Sequence, residues 1–286
     1  MISIGFSPCP NDTFIFYALV NKKIDVKGID INPVIEDVET LNRLAIKKAL
    51  DVTKISCHAF YYLQDNYNFL RSGGAFGRGC GPLLVADKNF KFQISNFKFQ
   101  NLKIAIPGEL TTAFLLLNLY LSSPQGGLRP KGSSTNSSLS FIAMPFYEII
   151  NAVSEGKADA GLIIHESRFT YPDYGLEKVI DLGDWWEKET GLPIPLGGII
   201  AKKSLGMPAV KTIESLIRAS VEYSMLHRDE VMPYIKQYSQ ELSEDVVMKH
   251  ISLYVNDYTI DIGAEGENAL RELFKKARKI NLCLHP

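Results

Sequence analysis

The sequence lacks long apolar runs, a surplus of one charge, and any paired spacing among its few cysteines. No stretch approaches the roughly 20 apolar residues that a membrane helix needs. The opening residues, Met1-Ile2-Ser3-Ile4-Gly5-Phe6-Ser7, show neither the basic nor the long apolar region of a signal peptide and read as a strand that begins at once. Lysine plus arginine (31) and aspartate plus glutamate (32) nearly cancel, so no global field recruits nucleic acid or an anionic membrane. Cys9, Cys57, Cys80 and Cys283 lie far apart without a C-x-x-C pair. That argues against a zinc knot or redox dithiol and fits unpaired thiols in a reducing cytosol. HExxH is missing and no histidines have metal-ligand spacing, which speaks against a metal centre. G-x-S-x-G is missing, which speaks against a serine hydrolase. The glycine-rich run from Arg71 to Pro82 has neither the P-loop lysine nor the dinucleotide spacing; it reads as a bent strand where backbone passes close to a ligand.

What is present suffices for two lobes of about 100–180 residues. Ile2–Phe6, Ile29–Ile35 and Asp51–Ser56 read as strands. They alternate with a helix capped by Asp12, a helix capped by Asp37 in which Val38, Leu41, Ala45 and Ala49 recur, and a short aromatic helix, His58–Leu63. This βαβαβα order predicts an α/β fold with mostly parallel, mixed sheets and flanking helices. A second unit begins near Asn101, with strands at Leu102–Ile106, Ser140–Met144 and Asp159–Ile164 and helices at Thr111–Leu121 and Phe146–Glu155. Ser122–Ser138 has the composition of a disordered loop, and the near-repeat in 89–100 reads as a local insertion. Mostly helical sequence follows Pro208. The expected division is 1–86 plus 200–286 for lobe one and 87–199 for lobe two. Crossing strands near 83–86 and 196–201 would make a clamshell with its ligand in the cleft.

Four strand-to-helix junctions carry polar groups. In Ser7-Pro8-Cys9-Pro10-Asn11-Asp12-Thr13, Asn11 and Thr13 offer hydrogen bonds, to a ligand or merely to a well-capped turn. Lys54 and Ser56 share one face of a strand end, where an anion would use both; otherwise Lys54 is a surface charge. Thr111 and Thr112 open an apolar helix and suit a carboxylate, or simply cap it. His165 follows the apolar run Gly161–Ile164. A helix dipole behind it would favour the neutral, proton-accepting imidazole, although a structural strand-end histidine stays open on position alone.

Several long strings, in order, resemble one family. Ser7-Pro8-Cys9-Pro10-Asn11-Asp12-Thr13-Phe14 is similar to the N-terminal signature of the 1,4-dihydroxy-6-naphthoate synthases of the futalosine route to menaquinone. Glu36–Asn42, Thr53-Lys54, Arg71–Gly74, Gly161–Tyr171, Asp181-Leu182-Gly183 with Trp185-Trp186, and Thr190–Pro193 continue the pattern. The resemblance implies a fold like type II periplasmic binding proteins. It also implies cleavage of cyclic dehypoxanthinylfutalosine to 1,4-dihydroxy-6-naphthoate and dihydroxyacetone, with no cofactor. By residue matching, His165 would be the proton acceptor, and Lys54, Ile55, Ser56, Thr111 and Thr112 would bind substrate. Asn11, Thr13 and Arg78 are candidates for lining the site. Cys57-His58 and the Ser122–Ser138 loop depart from the pattern. The rivals are a chorismate dehydratase of the same fold and a non-catalytic protein that binds small anions. The expected partner is a small-molecule substrate, with neither nucleic acid nor membrane; a homodimer is left open.

Overall fold

A computed structural model describes residues 1–88, 102–126, 139–239 and 243–280. Segment 89–101, most of the Ser122–Ser138 loop, Cys283 and His285 lie outside the described residues.

In chain order the elements begin β1 (Ile2–Phe6), α1 (Pro10–Val20), β2 (Ile31–Ile35), α2 (Val38–Ile46), β3 (Val52–Ser56), α3 (Cys57–Tyr61), β4 (Tyr67–Phe69) and β5 (Ala75–Gly77). Next come β6 (Leu83–Asp87), β7 (Lys103–Ile106), α4 (Thr112–Leu121), β8 (Ser140–Ala143), α5 (Ile149–Ser154), β9 (Ala160–Ile163), α6 (Ser167–Thr170), β10 (Leu176–Asp181) and α7 (Leu182–Thr190). The chain finishes with β11 (Ile194–Lys202), α8 (Met207–Leu226), α9 (Arg228–Tyr238), α10 (Glu244–Tyr254), α11 (Asp257–Ile260) and α12 (Gly263–Ile280).

The described residues form two compact units: those of Met1–Gly77 with Pro195–Arg271, and those of Arg78–Ile194 with residues 272–280. The expected boundaries near 86 and 200 therefore shift to 77/78 and 194/195. Strand pairing explains the shift: β6 is hydrogen-bonded to β9 and β10 of the second unit, while β11 is hydrogen-bonded to β3 and β4 of the first.

In the first unit the sheet order is β2-β1-β3-β11-β4, with β5 also pairing β11. β1 runs parallel to β2 and β3, and β11 returns antiparallel between β3 and β4. One core cluster joins Ile4, Phe6, Val52 and Ile199 of the sheet to Ile15, Phe16 and Leu19 of α1 and Ile213 and Ile217 of α8. α1 is buried almost all round because α9 and α10 cover its other side through Val231, Ile235, Val247 and Ile251. The Ser220 hydroxyl donates to the Ile15 carbonyl at 2.7 Å and accepts from the Leu19 amide at 3.0 Å, tying α8 to α1.

Asp37 caps α2 as expected, its carboxylate accepting from the Glu39 and Thr40 amides at 2.9 and 3.1 Å. Asp12 is not a cap. α1 starts three residues earlier, because Pro10 is preset for a first helical position and Cys9 takes the extended conformation before it as the cap.

In the second unit the order is β10-β6-β9-β7-β8, with β7 parallel to β8 and β9, and β6 antiparallel to β9 and β10. α5 packs against β9 at Gly161. A Cβ there would meet Ile149 Cγ2 at 2.6 Å and Val153 Cγ2 at 2.9 Å, so only glycine allows that approach. The expected helix Phe146–Glu155 opens with a 3-10 turn, Phe146–Glu148, before α5. Among the described residues no helix is long and apolar enough to cross a membrane.

Candidate active site

In the first unit a buried polar network occupies the ends of β1 and β3. Period-two alternation on β3 sends Lys54 and Ser56 to one face and Ile55 to the other, so Ile55 shares with them only its backbone. Lys54 is no surface charge: its Nζ lies 3.1 Å from Asp12 Oδ1 and donates to the Gly73 carbonyl at 2.9 Å, and both ion-pair members are buried. Removing two charges from water is compensated only when their remaining lone pairs are also matched. Asp12 is matched well, accepting from the Ser7 amide at 3.1 Å, the Ser7 hydroxyl at 2.7 Å and Asn11 Nδ2 at 2.9 Å.

Asn11 Oδ1 in turn lies 3.0 Å from Nε2 of His250, on α10. An amide oxygen only accepts, so that ring nitrogen carries the hydrogen. The glycine-rich run enters here. Gly73 has φ +83°, and its carbonyl faces the Lys54 ammonium. Ser56 is held by Asn42 of α2, whose Oδ1 accepts from the Ser56 amide at 2.9 Å and whose Nδ2 donates to Ser56 Oγ at 3.1 Å. Thr13, offered as a ligand group, instead bonds the carbonyls of Cys9 and Pro10 at 3.0 and 3.2 Å and is wholly buried. Burial pushes the Cys57 thiol well above its ordinary range, with the Lys54 charge opposing weakly.

In the second unit His165 sits two residues past the end of β9, half-buried, at φ +56°. Among the described residues the other non-glycine residues with positive φ are Lys22, Lys27 and Lys48, all exposed in turns. A left-handed residue at a strand end is the kind of local strain that collects at functional sites. The ring packs edge-on to Phe146, centroids 4.8 Å apart. The following turn is anchored by Arg168, whose guanidinium donates to Asp181 Oδ2 at 2.6 Å and to the Gly81 carbonyl. Asp181 Oδ1 caps α7 through the amides of Gly183 and Asp184. The expected dipole effect on His165 loses its source, because α6 is only four residues long.

Thr111 is the N-cap of α4, donating to the Gly108 carbonyl at 2.7 Å and accepting from the Phe114 amide at 3.2 Å. Thr112 is buried at the first position of the helix. Arg78 is half-exposed and bonds within its own unit, donating to the Gly191 carbonyl at 3.1 Å beside Glu187.

From the sequence, Arg168 stands only as a neighbour behind His165 and His250 as a less persuasive histidine, while Asn42 and Asp181 carry no role of their own. Asn42 left a signal: it falls four residues after Val38, inside the apolar stripe, where an amide needs a buried partner. His250 left none, since its partner Asn11 lies 239 positions away.

Among solved structures the chain is similar to the ligand-binding component of an ABC-type import system from Staphylococcus aureus. The TM-score is 0.70 at 15% identity, covering 98% of this chain and 92% of that one. The class is therefore that of the periplasmic-binding-protein fold, two mixed sheets with flanking helices. Within that class the family model described as menaquinone biosynthesis matches residues 2–279, and the chain belongs to that family. It is similar to the 1,4-dihydroxy-6-naphthoate synthase of Thermus thermophilus, 45% identical over 99% of this chain and 96% of the relative. The Streptomyces coelicolor enzyme of the same name is 40% identical, over 96% and 92%.

Proposed function

We propose that the chain is a 1,4-dihydroxy-6-naphthoate synthase, a carbon–carbon lyase that cleaves cyclic dehypoxanthinylfutalosine to 1,4-dihydroxy-6-naphthoate and dihydroxyacetone. Near full-length likeness to two relatives of that name supports the reading. The single structural observation that carries it is the half-buried imidazole of His165, on left-handed backbone at the end of β9.

In this reading His165 is the proton acceptor. It removes a substrate proton, and the released electron pair drives carbon–carbon cleavage as the second ring becomes aromatic. The strained turn and the Arg168–Asp181 anchor limit how far the base can wander, which matters because proton transfer needs heavy-atom separations near 3 Å. Thr112 and the first turn of α4, ten residues long, would hold the carboxylate, with Thr111 shaping that turn. Ser56 would bind the sugar-derived part. Lys54, neutralised by Asp12, would lend it a fixed donor instead of an unpaired charge. Among the described residues Cys9, Cys57 and Cys80 are buried and none is in a disulfide, which accords with a cytoplasmic setting.

The test is incubation of the purified chain with cyclic dehypoxanthinylfutalosine while the naphthoate chromophore is followed. Its appearance, together with dihydroxyacetone, supports the reading. Binding without turnover would favour a non-catalytic binder, and naphthoate-free turnover of chorismate the dehydratase.

A further inference from the structure

Asn42, we infer, is a positioning residue that turns the Ser56 hydroxyl into a hydrogen-bond donor for an oxygen atom of the substrate. This rests on the function proposed above, in which Ser56 binds the sugar-derived part.

The polarity follows from one bond whose direction is not negotiable. The Ser56 backbone N–H can only donate, so the Asn42 side-chain atom 2.9 Å from it is the oxygen. The other end of the amide is then nitrogen, which can only donate. It lies 3.1 Å from Ser56 Oγ and 3.5 Å from Glu39 Oε2, both able to accept. The amide is thereby matched at both ends, and Asn42 is wholly buried. Ser56 Oγ accepts from Asn42, so its own proton points elsewhere, and no residue among those described receives it.

A second observation agrees. Ser56 stands at the N-cap of α3 with extended backbone, φ −69° and ψ 140°, where a serine oxygen ordinarily accepts from a helix amide. It makes no such bond. The clamp from α2 has taken the lone pair that capping would use. Ser56 is only 4% exposed, and a buried hydroxyl proton without an acceptor is unfavourable, so a ligand oxygen gains from supplying one. The site thus selects a carbonyl, ether or hydroxyl oxygen presenting a lone pair, and disfavours a group that can only donate.

The test is a double-mutant cycle in steady-state kinetics, using the full chain and cyclic dehypoxanthinylfutalosine. Ser56→Ala should raise KM about tenfold, the order expected for one lost hydrogen bond. Asn42→Leu, neutral and of similar volume, should raise KM about fivefold on its own, as the freed hydroxyl rotates. Added to Ser56→Ala it should raise KM by less than about twofold, because the group it orients is gone. A merely structural asparagine would add its full effect in both backgrounds, and that result overturns the inference. So does an Asn42→Leu protein with unchanged KM. If circular dichroism shows that Asn42→Leu does not fold, Asn42→Ala takes its place in the same cycle. Absence of naphthoate formation by the unaltered protein would instead overturn the functional reading, and this inference with it.

Discussion

The two units treat the polar groups at their strand ends in opposite ways. In the first, Asp12, Lys54, Asn11, His250, Asn42 and Ser56 form hydrogen-bonded chains in which Asp12 and Lys54 neutralise each other and all six residues are buried. In the second, one imidazole stands half-buried on left-handed backbone, and the ionic anchor, Arg168 with Asp181, lies three residues behind it. The first arrangement suits recognition, since preorganised donors need not reorient when a ligand arrives. The second suits proton transfer, since a base must be reachable and must alternate between two protonation states. Under the proposed function, local burial would thus divide recognition from proton transfer, and each half can be broken separately.

The largest effect should come from the proposed base, His165. His165→Ala is expected to lower kcat by about 10²–10⁴, the usual contribution of a positioned general base, while substrate binding survives. Single-turnover kinetics beside calorimetric titration would separate the two quantities. Turnover close to that of the unaltered protein would remove His165 from the chemistry and erase the contrast between the units.

Next in size is the buried ion pair. Lys54→Met leaves the Asp12 carboxylate without its cation, and breaking a buried pair from one side typically costs about 3–5 kcal/mol. Urea denaturation should show that loss. Pairing it with Asp12→Asn should restore part of it, because the uncompensated charge disappears. An unchanged midpoint in Lys54→Met would mean that the Asp12–Lys54 pair adds nothing to stability.

Thr111→Val tests whether the second unit uses its threonine as a cap. Losing both the bond to Gly108 and that from the Phe114 amide should lower stability by about 1 kcal/mol, with Thr111→Ser close to the unaltered protein. A serine variant as unstable as the valine variant would assign the effect to packing of the methyl group.

How much of this could be read from sequence depends on the range of the interaction. The Asp37 cap, α2 and the β1-α1-β2-α2-β3 order are local and periodic, and they appear where expected. α1 starts earlier than expected because Pro10 and Asp12 compete as boundary signals; the proline's preset φ prevails and frees Asp12 for Lys54, 42 positions on. β4 and β5, three residues each, are too short for alternation to register. The pairing of Lys54 and Ser56 on one face was legible from period two alone. What neutralises the lysine and what orients the serine were not, because Asp12, Gly73 and Asn42 arrive through sheet and helix packing. His165 was found by its place after an apolar strand, but its left-handed backbone and the Arg168–Asp181 anchor are tertiary facts.

The smallest effect expected concerns a cluster that looks like the buried network but lies at the surface of the same unit. Glu230 accepts from Tyr223 at 2.8 Å and Tyr17 at 3.1 Å and pairs with Lys23 at 2.6 Å. The Lys23 ammonium first, then the Tyr223 hydroxyl, pull the Glu230 carboxyl down to about 2. A carboxyl lowered in the folded state adds stability that is complete above its unfolded value, near 4.5, and fades as pH falls toward about 2. Glu230→Gln should therefore flatten the acid limb of the stability profile between those values and leave neutral-pH denaturation little changed, because exposed pairs are screened by water and salt. Denaturation midpoints measured from pH 6 to pH 2, at low and high salt, would show it. An acid limb as steep in Glu230→Gln as in the unaltered protein would remove this surface cluster from the acid response.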